Sequence, residues 1–276
     1  MTPVPPVPLR SPASFLASAP RAAAGNGATA GNGANRHVVD PALPWNGRYY
    51  DFIAGGGARE PAPETVAQRL MESRLFVRLY ENVMRPFFVR VFAGPNAGAP
   101  TPAEEARMYV ELLAIERGQG PWLDMSCGAG GFTRGLAEAR RDATVVGLDI
   151  SGQMLDKAAA QLAELSNICL IRADVHELPF PDAVFAGVNN AGSLHLYKDR
   201  DTVFAEVFRV LRPGGTYVVS TFAESDRLLG RAFTRLTGVR RTDLPALPGH
   251  LARFGFTDYD ERRYGDIFMA RVRKPA

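Results

Sequence analysis

The run Trp122-Leu-Asp-Met-Ser-Cys-Gly-Ala-Gly-Gly131 constrains the fold of this chain more than any other stretch. An apolar segment ends in an acid, a glycine-rich turn follows, and Phe132-Thr-Arg-Gly-Leu-Ala137 has the composition of a helix start. Strand, tight loop and helix in that order cradle an adenosine-containing cofactor in an open α/β sheet. Gly128, Gly130 and Gly131 carry no β-carbon, so the backbone turns sharply there and a ligand can press against it. Ser126, Gly128 and Gly131 nearly fit the dinucleotide fingerprint G-x-G-x-x-G, with serine in place of the first glycine. The loop by itself does not decide the cofactor; the segments downstream do.

Those segments come in a fixed order. Ala143-Thr-Val-Val-Gly-Leu-Asp149 is a β-rich run ending in an acid, as a second parallel strand would. Asp149 follows the glycine loop at the roughly 20-residue spacing of a ribose-binding carboxylate. Two neighbouring ribose hydroxyls can both donate to one carboxylate, and such charge-assisted bonds are the stronger kind. Ile168-Cys-Leu-Ile-Arg-Ala-Asp174 is a third strand with a third terminal acid. Val203-Phe-Ala-Glu-Val-Phe-Arg-Val-Leu-Arg-Pro-Gly-Gly215 reads as a helix stopped by Pro213 and two glycines, and the strand Thr216-Tyr-Val-Val-Ser-Thr-Phe222 comes directly after it.

With these segments in order, the chain resembles the class I S-adenosylmethionine-dependent methyltransferases. Within them it looks most like the small-molecule group that carries L-P-F and L-R-P-G-G segments, here Leu178-Pro-Phe180 and Leu211-Arg-Pro-Gly-Gly215. The likeness spans about residues 101–273. A narrower likeness is to plastid-type and related bacterial methyltransferases with S-C-G-x-G in the loop, matched by Ser126-Cys-Gly-Ala-Gly130. Those also have a short strand module and an aromatic helical region ahead of the catalytic domain. Gly47-Arg-Tyr-Tyr-Asp-Phe52 looks like the remnant of that module, without its metal-binding cysteines.

The resemblance implies S-adenosylmethionine as the cofactor and assigns its contacts. Asp124 would lie beside the methionine part, Asp149 on the ribose, and Asp174 at the adenine amino group with the Val175 backbone beside it. Ser126, Cys127, Gly128, Gly130, Ile150, Met154 and Asn190 complete the expected binding set. Each acid also has a local role open to it. Asp124 could cap the turn after its strand, and Asp149 could cap the helix beginning near Gly152, a role Ser151 would fill equally well. Cys127 reads as a small residue that fits the loop, because a thiol nucleophile needs a base and an electropositive setting. His195 stands where the family often has a histidine just past the fourth strand. It is the candidate catalytic residue, as a general base titrating near neutral pH. A packing role beside the cofactor competes, because Asp199 and Asp201 look like the start of the next helix rather than partners for the imidazole.

Composition narrows the class. A chain of 276 residues can hold one sizeable α/β core. No apolar stretch reaches the roughly 20 residues of a membrane span. Cys127 and Cys169 offer neither a disulfide framework nor zinc spacing, which favours a reducing compartment and no metal site. The net charge is +3, and Arg10, Arg21 and Arg36 against Asp40 supply +2 of it. A nucleic-acid enzyme usually shows a broader basic face. The ending Asn189-Asn-Ala-Gly192 of the fourth strand also lacks the Pro-Pro-Tyr type found in many amino-group methylases of bases. The expected partner is therefore a small-molecule substrate, not a nucleic acid. No motif encodes an oligomeric state.

Three regions follow. Residues 1–40, rich in Ala, Pro, Gly and Asn, cannot bury enough apolar surface to offset their ordering entropy, so they read as a disordered tail. Two origins fit it: a bacterial low-complexity leader on a cytoplasmic protein, or a transit peptide for an organelle stroma or matrix. Residues 41–100 hold a short strand or hairpin near 46–55 and helices over 64–93, with Val66, Leu70, Leu75, Leu79 and Val83 at helical spacing and Pro86 as the break. This region would cap the substrate side. Residues 101–276 form the methyltransferase domain. Its first helix opens at the capping box Thr101-Pro-Ala-Glu104 and runs to about Arg117.

Strands are expected near 121–125, 144–149, 168–173, 184–189, 216–222, 257–264 and 267–273. The last two, joined at Gly265-Asp266, should pair antiparallel. The predicted fold class is therefore α/β: a Rossmann-like doubly wound seven-stranded sheet with a reversed last strand, preceded by a helical extension. Its substrate walls would be the helices at 64–93, the loop Ala191-Gly-Ser-Leu-His-Leu-Tyr197 and the segment 223–247. Phe76, Tyr80, Phe87, Phe88 and Phe92 favour an apolar or aromatic acceptor. A non-catalytic S-adenosylmethionine-binding scaffold remains open. A nicotinamide-dependent dehydrogenase is opposed by Ser126, Asp174 and the Leu211–Gly215 segment.

Overall fold

The computed structural model describes residues 45–53, 100–197, 199–222, 244–264 and 267–276. The tail at 1–40, the helices at 64–93 and most of the 223–247 wall lie outside the described residues.

In chain order the elements are β1 (Tyr50–Asp51), α1 (Pro102–Leu112), β2 (Trp122–Met125), α2 (Gly131–Ala139), β3 (Val145–Asp149), α3 (Gly152–Gln161), β4 (Ile168–Arg172), β5 (Phe185–Asn190), α4 (Arg200–Val210), β6 (Leu211–Phe222), α5 (Leu247–Arg253), β7 (Thr257–Tyr264) and β8 (Ile267–Arg273). A short 3-10 turn, Leu194–Leu196, stands between β5 and α4. The strands form one sheet in the order β1-β4-β3-β2-β5-β6-β8-β7.

All seven strands read from the sequence are present. The last, β8, is the reversed one, inserted antiparallel between β6 and β7. The sheet nevertheless has eight strands. The additional one is β1, where Tyr50 and Asp51 pair parallel with Ile171 and Arg172 of β4. A short strand or hairpin is expected near 46–55, and Trp45 bridges Tyr50 there, but two residues carry no hydrophobic period that would place the strand beside β4.

Two helix ends differ from expectation. The first helix starts as read: the Thr101 hydroxyl accepts from the Glu104 N–H, and the Glu104 carboxylate accepts from the Thr101 N–H. It stops at Leu112 rather than Arg117, and shortly beyond it Ala114 takes a φ of 51°. That is outside helical backbone and carries no glycine signal. The fourth helix ends at Val210, before Pro213, because Leu211 is already extended and paired with Phe185.

Successive strand residues point to opposite faces, and the core divides accordingly. Val145, Ile168 and Leu170 pack on one side with Tyr109, Leu136, Leu155 and Leu162 of the first three helices and their flanks. Val146, Leu148, Cys169 and Ile171 pack on the other with Val203, Phe204, Val207 and Leu251 of α4 and α5. Burial of each such side chain contributes about 1.5–3 kcal/mol. The strand order reverses direction between β2 and β5, and a crevice opens outside the carboxyl ends of strands at such a switch point.

Candidate functional site

The switch point is joined by a buried carboxylate. Asp124 near the end of β2 faces Asn189 of β5 in register. Its Oδ1 accepts from the Asn189 side-chain amide at 2.8 Å and its Oδ2 from the Thr133 hydroxyl at 2.6 Å. At 1 % exposure the group is sealed, and burial pushes its carboxyl up to about 6. Asp124 also accepts from the Thr133 backbone N–H, so a local capping role accompanies these two bonds. It ties β2, β5 and the first turn of α2 together and sets a negative field under the crevice.

The loop beyond it takes three left-handed residues in five. Ser126 has a φ of 56°, Gly128 of 55° and Gly130 of 86°. The two glycines differ in what surrounds them. At Gly128 no heavy atom stands within 4 Å of where a β-carbon would be, so the backbone offers a bare surface. At Gly130 a β-carbon would lie 2.6 Å from Leu162 Cδ1, so that glycine admits the close packing of α2 on α3. Cys127 is buried, which raises its thiol well above the ordinary range and keeps it protonated at neutral pH.

Asp149 closes the loop from the next strand. Its Oδ2 accepts from the Gly128 N–H at 2.8 Å and its Oδ1 from the Ser151 N–H at 2.9 Å. Ser151, not Asp149, caps α3, its hydroxyl accepting from the Met154 N–H. The carboxylate is thus oriented by backbone donors of Gly128, Ile150 and Ser151 and keeps acceptor capacity for a ligand. Burial raises its carboxyl despite those bonds. Beside it stand Ile150, an exposed large apolar residue, and Met154, buried against Ala129 of the loop.

Asp174 follows β4. Its Oδ1 accepts from the His176 backbone N–H at 2.9 Å and meets His176 Nδ1 at 2.7 Å. Burial acts upward on the Asp174 carboxyl, but the two bonds from His176 outweigh it and hold it below the ordinary range. The reciprocal bond raises the His176 imidazole. Val175 turns its side chain into the core.

The loop after β5 completes the edge. Asn190 is fully buried, donates to the Tyr217 hydroxyl at 3.3 Å and accepts from Ser193. His195 lies in the 3-10 turn, buried, where desolvation and the Arg200 charge push its imidazole down to about 4. It is neutral through the physiological range and a weak base. Asp199 caps α4 and Asp201 sits in its first turn, as the sequence implied. The sequence did not single out Thr133, His176, Ser193 or Tyr197. The last three lie within segments already marked by Asp174 or by the loop after β5, but their partners are set by the fold.

Residues 123–219 match the family model described as "Methyltransferase domain". An uncharacterised chloroplastic methyltransferase of Arabidopsis thaliana is 31% identical over 221 residues, covering 76% of this chain and 61% of its own length. The chain carries a class I S-adenosylmethionine-dependent methyltransferase domain. A second chloroplastic methyltransferase of the same plant is 32% identical over 176 residues, 62% of this chain and 48% of its own. The chain thus spans about half to three-fifths of the length of these relatives. Among solved structures, the Haemonchus contortus phosphoethanolamine N-methyltransferase 2 in complex with S-adenosyl-L-methionine has a TM-score of 0.54 at 17% identity, over 74% of this chain and 60% of that one. That likeness is one of fold.

The cofactor of this methyltransferase domain is S-adenosylmethionine, and the edge fits it. The bare backbone at Gly128 admits a ligand, and Asp149 and Asp174 present acceptors of the kind that ribose hydroxyls and an adenine amino group require. Among the described residues no helix is long and apolar enough to cross a membrane.

Proposed function

We propose that the protein transfers a methyl group from S-adenosylmethionine to a small apolar or aromatic metabolite. One observation carries the cofactor side: Asp149 is aimed by Gly128 and Ser151 while Ser151 takes over the helix cap, leaving the carboxylate for a ligand. Asp149 binds the ribose hydroxyls, Asp174 the adenine amino group, and Ile150 and Met154 flank the base. Asp124 acts through the field and the architecture beneath the methionine end. Gly128 gives backbone access, Gly130 sets the helix packing behind it, and Ser126, Cys127 and Asn190 shape the loop walls. When bound, the cofactor supplies a methyl group on a sulfonium, whose transfer is intrinsically downhill. The protein's task is then to align the acceptor from the loop after β5, and alignment alone can supply much of the rate. His195 packs that loop and serves as no proton acceptor.

Relatives support a small acceptor of either character. A fatty-acid O-methyltransferase of Mycolicibacterium smegmatis is 38% identical over 96 residues, covering 35% of each chain. A demethylmenaquinone methyltransferase of Bacillus licheniformis is 37% identical over 110 residues, 40% of this chain and 47% of its own. The apolar choice rests on these two and on the aromatic residues at 76–92. A cytoplasmic leader is the first reading of residues 1–40, and the chloroplastic relatives are compatible with the alternative, a transit peptide.

The test is incubation of the full-length protein with methyl-labelled S-adenosylmethionine and a fractionated metabolite extract. Label should appear in an organic-soluble small molecule. Label in nucleic acid, or cofactor binding with no transfer to any fraction, would overturn the proposal.

A further inference from the structure

Ser126 stands where the dinucleotide fingerprint has its first glycine, and it adopts the backbone of a glycine, with φ at 56°. A residue with a β-carbon is strained in that region and persists there only where its surroundings over-determine it. The surroundings here are specific. The Ser126 hydroxyl meets the Tyr197 hydroxyl at 2.7 Å across 71 positions of sequence. The Tyr197 hydroxyl also meets the Ser193 hydroxyl at 2.8 Å, and Ser193 in turn donates to the buried Asn190 side chain. The Tyr197 ring lies edge-on to His176, centroids 6.1 Å apart, and His176 holds Asp174. Tyr197 is buried, and its phenol is pushed up to about 12, so it remains a neutral hydroxyl. One side chain thus touches the loop after β2, the segment after β4 and the turn after β5.

We propose that Tyr197 is a positioning residue that clamps the Ser126 loop in its ligand-ready backbone and ties it to the acceptor-side turn, so that cofactor affinity depends on a tyrosine that need not touch the cofactor. The proposal rests on assigning the Ser126–Gly130 loop to S-adenosylmethionine. It makes a distinctive demand. Tyr197→Phe leaves the ring packing but strips the bridge, so Ser126 keeps its strain without its brace. Ser126→Gly removes both the strain and the need for the brace, since glycine adopts positive φ at no steric cost.

The experiment is titration of S-adenosylhomocysteine into the full-length wild type, Tyr197→Phe, Ser126→Gly and the double variant, with melting temperatures alongside. Tyr197→Phe should weaken binding by about 10-fold, the effect of an unsatisfied hydroxyl in a strained loop. The double variant should bind at least about threefold more tightly than Tyr197→Phe, because the strain that the bridge opposes is gone. A residue that only fills the core would show the loss without rescue. Tyr197→Phe binding as tightly as wild type, or a double variant no better than Tyr197→Phe, would overturn the clamp. Absence of binding by the wild type itself would instead overturn the cofactor assignment on which the clamp rests.

Discussion

The two ends of the sheet are built on different principles. At the amino ends of the strands, long donors satisfy backbone carbonyls. The Asn167 side-chain amide donates to the carbonyls of Ala137, Arg140 and Ala143. Arg140 binds the carbonyls of Glu116 and Gly118, and Arg212 those of Gln119 and Gly120. Arg209 binds the carbonyls of Leu178 and Phe180 while forking onto Glu206, which itself accepts from the Leu178 N–H. At the carboxyl ends, Asp124 and Asp149 are buried without a cationic hydrogen-bond partner, Ser126 holds strained backbone, and hydroxyls bridge between loops. Buried carboxylates of that kind cost stability rather than add it. The difference separates an end where cations staple backbone carbonyls from an end where carboxylates are buried with no cation hydrogen-bonded to them.

The largest effect should come from breaking the stapled end. Arg209→Ala removes two backbone clamps and leaves Glu206 without its cation. It should destabilise by about 3–4 kcal/mol, or roughly 6–16 °C in melting temperature for a domain of this size. Affinity for S-adenosylhomocysteine should stay within about twofold. Affinity falling in step with stability would dissolve the distinction between the two ends.

A second test reads the carboxyl end through pH. The folded Asp124 carboxyl is raised from 3.8 to about 6 by burial. A raised carboxyl means that the folded state binds its proton more tightly than the unfolded state does. The stabilising contribution is therefore full below about pH 3.8 and is lost as pH rises through about 6. The loss is about 3 kcal/mol. Asp124→Asn keeps both partners, since the Thr133 hydroxyl can turn to accept. Subtracting its pH–stability curve from that of wild type should isolate this slope between pH 4 and 6. Parallel curves would show that Asp124 is not a buried, raised carboxylate.

Sequence and fold part company along the same line. The seven main strands and the reversed hairpin were legible because each is a β-rich run bounded by turn residues, with the pattern complete within a few positions. The acids at 124, 149 and 174 were legible because each lies at or within two residues of the end of a strand. Contacts made by the fold rather than by the local chain were not. Tyr50–Asp51 beside β4 and Ser126 against Tyr197 each join segments 71 or more residues apart, and no local period marks such a meeting. The competing roles of Asp149 and Ser151 were visible as a pair of options, and only the direction of the Ser151 hydroxyl decides between them.

The smallest effect is expected at His195. Burial and Arg200 hold its imidazole near 4, so a limb near pH 6.5 in the rate profile should be absent. His195→Ala should lower turnover and cofactor affinity together by about three- to fivefold, near 1 kcal/mol. A loss of about 100-fold in turnover alone would make it a general base and extend the chemistry of the carboxyl edge to proton transfer.

The central claim is that the carboxyl edge binds S-adenosylmethionine through Asp149. Calorimetric titration of the wild type with S-adenosylhomocysteine and with NAD, repeated on Asp149→Ala, tests it most directly. S-adenosylhomocysteine should bind and NAD should not. The alanine variant should lose about 2 kcal/mol, roughly 30-fold in Kd, with its fold intact. Binding of NAD, or an alanine variant that holds S-adenosylhomocysteine as tightly as wild type does, would contradict it.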